Sequence, residues 1–162
     1  MTVAIFILKM VAITYFIDAW LYWLHVAFHS KRSPVWFRRL HMQHHADFQR
    51  SEVFSLHPAE LFLDSIVPFF FTSWLMGNYW FFPCVVLPWG VFEAARGHGH
   101  FKWFKIIPRG YYKALNFCGT KYHGRHHAPG GENINLGQML RTWDNIMGTY
   151  ERQNPICAVS KR

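Results

Sequence analysis

Apolar residues in this chain come in three long runs, separated by polar stretches that carry histidines. The first run, residues 2–24 (TVAIFILKMVAITYFIDAWLYWL), has Lys9 and Asp18 as its only charges. As a helix it is long enough to cross a bilayer. A cleaved signal peptide fits it badly, because a basic start and a small-residue cleavage site are both missing. Lys9 lies near one end, where its long side chain can reach back to the interface. The helix is expected to run on past the apolar stretch and to carry His25 and His29. The second and third runs, 61–76 (LFLDSIVPFFFTSWLM) and 79–95 (YWFFPCVVLPWGVFEAA), flank Gly77-Asn78, a turn signal. They predict a helical hairpin kinked at Pro68, Pro83 and Pro88. A re-entrant hairpin, or one with part of an arm buried in protein, is the alternative.

The polar stretches predict shorter helices. In 31–50 (KRSPVWFRRLHMQHHADFQR), Ser33-Pro34 marks a helix start. The helix after it is amphipathic, with Trp36, Phe37 and Leu40 able to lie in the interface. Pro108-Arg109-Gly110 breaks the chain, a helix is expected over 111–128, and Ala128-Pro129-Gly130-Gly131 ends it. Leu136, Leu140, Trp143 and Met147 have helical spacing over 136–147, closed by Gly148-Thr149-Tyr150, and the last dozen residues look like a tail. No internal repeat or low-complexity segment is present.

Composition turns these runs into a membrane assignment. In 162 residues, 51% are hydrophobic and 19% aromatic, more than a soluble domain of that size can hide. The length suits a single domain, 1–162. The net charge of +8 could mean nucleic acid, but its placement argues otherwise. Of 17 Lys and Arg, all but Lys9 fall in 31–50 or 96–162. Cytoplasmic loops collect such residues, and basic faces beside a bilayer attract anionic headgroups. One inward span followed by a hairpin out and back puts both regions, and every histidine cluster, on the cytoplasmic side. The expected fold is therefore all-α and integral to the membrane, with about three spans and a cytoplasmic helical cap. Cys84, Cys118 and Cys157 form no C-x-x-C pair and are read as reduced structural residues. There is no G-x-G-x-x-G or Walker sequence for a nucleotide.

The chemistry lies in the histidines. Ten of eleven fall in four clusters: His25-x-x-x-His29, His41-x-x-His44-His45, His98-x-His100 and His123-x-x-His126-His127. Positions i, i+3 and i+4 share a helix face, so each triplet is expected to aim three imidazoles at one point. Neutral imidazole is the commonest protein metal ligand, and eight to ten of them suit two ions. His57 stands alone before Pro58, as a helix-start residue or a lesser candidate ligand. The ligand type alone leaves Fe, Cu, Zn and Ni open.

This order of motifs, with Trp143-Asp144-x-x-x-Gly148-Thr149-Tyr150 near the end, resembles the fatty acid hydroxylase/sterol desaturase superfamily. Ile107-Pro108-Arg109-Gly110-Tyr111 followed by the second triplet is also similar to bacterial β-carotene hydroxylases. The resemblance covers roughly residues 20–150. It implies a non-haem di-iron site, two irons with zinc as a substitute in purified protein, that uses O₂ to oxidise a lipid C–H bond. The ligands it implies are His25, His29, His41, His44, His45, His123, His126 and His127, with one of His98 and His100, His100 being favoured. The spacing of that fourth cluster departs from the wider one commoner in the family.

Three carboxylates stand seven residues, close to two helical turns, from a histidine: Asp18 from His25, Asp64 from His57 and Glu93 from His100. Metal-bound His commonly donates its other N–H to a carboxylate, so Glu93 and Asp18 are candidates to support the site, against simple inter-helix bonding. Asp144 either bonds a ligand histidine or caps and packs the last helix. C–H oxygenation consumes two external electrons, so a separate reductase, ferredoxin or cytochrome is expected, steered by the basic face. The substrate is expected to be apolar and to come from the bilayer: an acyl chain, sterol, carotenoid or alkyl ether. Against this stand a non-catalytic haem- or metal-binding membrane protein, and a zinc hydrolase, for which no H-E-x-x-H is present.

Overall fold

The computed structural model describes residues 2–51, 57–97, 116, 118 and 120–151. Among them the chain is helical, with no strand: α1 is Val3–His29, α2 Val35–Ser51, α3 Pro58–Met76, α4 Leu87–Gly97, α5 Thr120–His126 and α6 Thr142–Met147. A π-helical turn, Phe82–Val86, leads into α4. The expected tail and the Pro108-Arg109-Gly110 break lie outside the described residues.

Helix α1 starts where Thr2 Oγ1 accepts the Ile5 N–H, an N-cap bond. It runs unbroken through the apolar stretch to His29, about 40 Å at 1.5 Å per residue. Its outer half stays uncovered by protein, with Val3, Ile7, Leu8 and Val11 exposed. Nothing in water favours that exposure, whereas a hydrocarbon surrounding does. Helices α1 and α3 are long and apolar enough to cross a membrane; the apolar Phe82–Phe92 helix of the second hairpin arm is shorter.

The two long helices pack antiparallel. Phe16 stacks on Phe71 with ring centroids 3.7 Å apart, and Trp20 Nε1 donates to Leu63 O at 3.1 Å. Lys9, expected at the interface, donates to Leu75 O at 2.5 Å. That carbonyl is in the last turn of α3, where a cation meets the negative end of the helix dipole. The Gly77-Asn78 turn is present, with Gly77 left-handed at φ 66°. The π turn has a local cause in Pro88. Proline supplies no N–H, and its ring clashes with the carbonyl four residues back. Widening the preceding turn, where Leu87 N bonds Phe82 O, makes room for that ring.

The segment expected as a helix over 136–147 is helical only from Thr142. Residues 131–140 are an ordered loop, because Asp144 captures the N–H groups of Leu136 (2.8 Å) and Gly137 (2.6 Å). Asn135 is left-handed at φ 53°, which ends any helical run there. Asp18 Oδ1 takes the Leu140 N–H at 2.8 Å. Two buried carboxylates thus pin the loop from either end. The expected 111–128 helix is described only as the shorter α5.

Candidate metal centre

The inner ends of α1, α2 and α3 meet α5 and the 131–140 loop, and eight histidines converge there. Their ligand atoms fall into two groups: His25, His29, His41, His45 and His126 in one, and His44, His123 and His127 in the other. Within each group these atoms lie within 4.8 Å of one another. The groups adjoin, with the His45 and His127 rings 4.2 Å apart.

Each triplet was expected to aim at one point, and each is divided instead. From α2, His41 and His45 join the first group and His44 the second; from α5, His126 joins the first, while His123 and the next residue after the helix, His127, join the second. Helix geometry accounts for this. At about 100° per residue, i and i+4 differ by about 40°, whereas i+3 sits about 60° to the other side. An H-x-x-H-H helix therefore presents a pair to one centre and a single ring to its neighbour.

Three rings of the first group have their Nδ1 fixed from behind. His25 Nδ1 donates to Leu136 O at 2.7 Å, His126 Nδ1 to Ile134 O at 3.0 Å, and His41 Nδ1 to Glu60 Oε1 at 2.6 Å. A carbonyl only accepts, so the His25 and His126 rings must donate, and each Nε2 is left with a lone pair facing inward; an ionised Glu60 carboxylate orients His41 in the same way. Buried Nε2 atoms of His25 and His29 make no hydrogen bond, a costly state unless a positive centre receives them. His45 Nε2 lies 3.0 Å from both His41 Nε2 and His126 Nε2, and His127 Nε2 lies 3.0 Å from His123 Nε2. Imidazole–metal bonds of about 2.0–2.1 Å put neighbouring ligand nitrogens about 3 Å apart. The residues therefore fit a transition-metal ion in each group.

The electrostatics favour the neutral, ligating form. Burial holds the His41 imidazole well below its ordinary pKa, and the neighbouring His25 and His45 rings push it further down. Burial brings His126 down to about 3, with His29 the next contributor.

Behind the histidines, Asp144 is the hub. Besides the two loop N–H groups, it accepts from Tyr122 Oη and, at 2.6 Å, from Thr149 Oγ1. The Tyr22 hydroxyl, 3.0 Å from Thr149 Oγ1, in turn donates to it. Among the described residues, neither Asp144 nor Asp18 bonds a histidine directly. Both act through the loop whose Ile134 and Leu136 carbonyls hold His126 and His25. His57 is the N-cap of α3, accepting the Ala59 N–H at 3.1 Å, and belongs to neither group. His98, His100 and the Glu93 side chain lie outside the described residues. Cys84 is an exposed thiol, and the buried Cys118 Sγ donates to Gly137 O at 3.3 Å; Cys157 is also outside the described set.

Glu60, which contacts His41, was missed in the sequence. It stands three residues into α3, where an acidic residue needs no partner beyond the helix N-terminus. Only the packing of α3 on α2 turns it toward the site. The two loop carbonyls carry no sequence signal at all.

The family model described as fatty acid hydroxylase matches residues 10–149, a span containing every histidine of the chain. Neither a curated protein nor a solved structure matches. The match covers most of the chain and all eight converging side chains: this protein belongs to the fatty acid hydroxylase family, within the fatty acid hydroxylase/sterol desaturase superfamily.

Proposed function

We propose that this chain is a membrane di-iron oxygenase that hydroxylates or desaturates an unactivated C–H bond of a lipid, a fatty acyl chain or sterol in the first instance. The observation that carries this reading is the pair of adjoining histidine groups with inward-facing nitrogens. The hydroxylase and desaturase chemistry of the family supports it. For hydroxylation, R–H, O₂, two electrons and two protons give R–OH and water. Bound iron would supply O₂ activation and the oxidising power for C–H cleavage.

The chain's own residues supply the rest. His25, His29, His41, His45 and His126 would hold one ion. His44, His123 and His127 would hold the other, completed by the His98-x-His100 cluster with His100 favoured. Leu136 O, Ile134 O and Glu60 keep the first set in the ligating tautomer. Apolar helices around the inner ends limit water, which protects a reactive centre from side reactions. The basic segments 31–50 and 96–162 support a site on the cytoplasmic face, within reach of an external ferredoxin, cytochrome or reductase that would deliver electrons. A carotenoid ring is the alternative substrate within the same chemistry.

Two measurements test the reading. Metal analysis of detergent-purified protein is expected to find two equivalents of non-haem iron per chain. Lipidomics of cells with and without the protein is expected to show one lipid gaining an oxygen atom or losing two hydrogens. A Soret band, or a metal-free protein that leaves every lipid unchanged, overturns it in favour of a non-catalytic binding protein.

A further inference from the structure

A cavity of about 430 Å³ lies between α1, the second hairpin arm and the 131–140 loop. That volume is in the usual range for ligand sites, about 300–1,000 Å³. On α1 its lining runs from Met10 to Leu21, about 16 Å along the axis. Leu21 is one turn before His25, so the lined face of α1 leads to the metal-ligating end. Val86, Trp89 and Gly90 form the opposite wall, and Met139 belongs to the loop that brackets the histidines. The lining is mostly apolar: its polar side chains are Thr14, whose Oγ1 already donates to Met10 O at 2.9 Å, and Gln138 on the loop beside Met139. Ile13 and Ile17, 2% and 8% exposed, face this space and not the bilayer.

Gly90 is the unusual member. Glycine inside a helix is unfavourable by about 1 kcal/mol relative to alanine, and a Cβ on Gly90 would meet nothing within 4 Å. Packing against protein therefore does not require the missing side chain; its absence keeps the cavity open.

We propose that this cavity is the binding site for an extended hydrocarbon chain, with Gly90 setting how far the chain penetrates. The shape is long for its volume and aliphatic on the α1 side, which suits a flexible acyl chain better than a fused ring system. What happens to the bound chain rests on the oxygenase reading; its binding does not.

The test uses full-length protein in nanodiscs containing a phospholipid whose palmitoyl chain ends in a photoactivatable diazirine. Labelled peptides are mapped by mass spectrometry. Bilayer-facing Leu8, Val11 and Tyr15, all exposed, are expected to label in every variant. Ile13, Ile17 or Met139 are expected to label in wild type and Gly90→Ala, and to lose most label in Gly90→Leu, whose branched side chain fills the space. Labelling confined to the bilayer-facing positions, or Ile13 and Ile17 labelling unchanged by Gly90→Leu, overturns the proposal. Iron content on the same samples separates the two readings. Cavity labelling without iron sinks the oxygenase and leaves the chain site. Full iron without cavity labelling does the reverse.

Discussion

Glu60 Oε1 lies 2.6 Å from His41 Nδ1, and both side chains are buried, at 2% and 3% exposure. The contact joins α3 to α2 and fixes which His41 nitrogen faces the first histidine group. Glu60→Ala is expected to lower affinity for the ion in that group by about 10–100-fold, the usual effect of removing such a partner. Glu60→Gln keeps an oxygen acceptor and is expected to fall between Ala and wild type. Metal titration followed by elemental analysis measures it; Glu60→Ala binding like wild type would sink the assignment.

Asp144 is expected to matter for folding and for metal together. Asp144→Asn puts a donor where two or more donors already point, leaving buried N–H or O–H groups unsatisfied at about 1–3 kcal/mol each. The same change loosens the loop carrying Leu136 O and Ile134 O. Thermal unfolding of the metal-free protein and metal affinity are both expected to fall. A drop in affinity with no change in melting temperature would point to direct ligation instead.

The histidines make the metal-free protein acid-sensitive. A group with a lowered folded pKa takes up its proton on unfolding first, so stability is lost as pH falls through the unfolded value near 6.5. For His126, held at about 3, the loss at pH 5 relative to pH 7 is about 2 kcal/mol. His41, also driven down, adds in the same direction. Chemical denaturation of metal-stripped protein at both pH values checks the sign.

Two glycines in and after the second triplet are expected to respond oppositely. Gly124 is on α5, and a Cβ there would meet nothing within 4 Å, so Gly124→Ala is expected to be neutral or stabilising by up to about 1 kcal/mol. Gly131 packs so closely that a Cβ would collide with the carbonyl oxygens of Arg125, His126 and Ala128. Gly131→Ala is expected to destabilise by about 1–3 kcal/mol, as overpacking does, and to disturb His126. Melting curves of the two variants, with metal content, decide it.

His57→Ala removes an N-cap, about 1 kcal/mol, and is expected to leave metal stoichiometry unchanged, whereas His25→Ala lowers it. A lost equivalent of metal in His57→Ala would restore His57 to the ligand candidates.

The sequence was readable where local pattern decides structure. Apolar length marked α1, Gly77-Asn78 marked the hairpin turn, and H-x-x-x-H with two H-x-x-H-H motifs marked the site. Reading failed where a distant side chain overrides local preference. The spacing of Leu136, Leu140 and Trp143 suits a helix, yet Asp144 and Asp18 draw its N–H groups into a loop. Glu60 drew no notice because its partner is on another helix. The division of each triplet was implicit in the 100° step, but choosing partners for each ring needed the meeting of the α2 and α5 histidines in space.

Because each of those two helices contributes to both groups, an ion bound in one group would also organise the ligands of the other. Filling the first position immobilises His45 and His126, and with them the backbones that carry His44, His123 and His127. The entropy of ordering is then largely spent before the second ion arrives, so uptake should be cooperative and half-filled protein scarce at equilibrium.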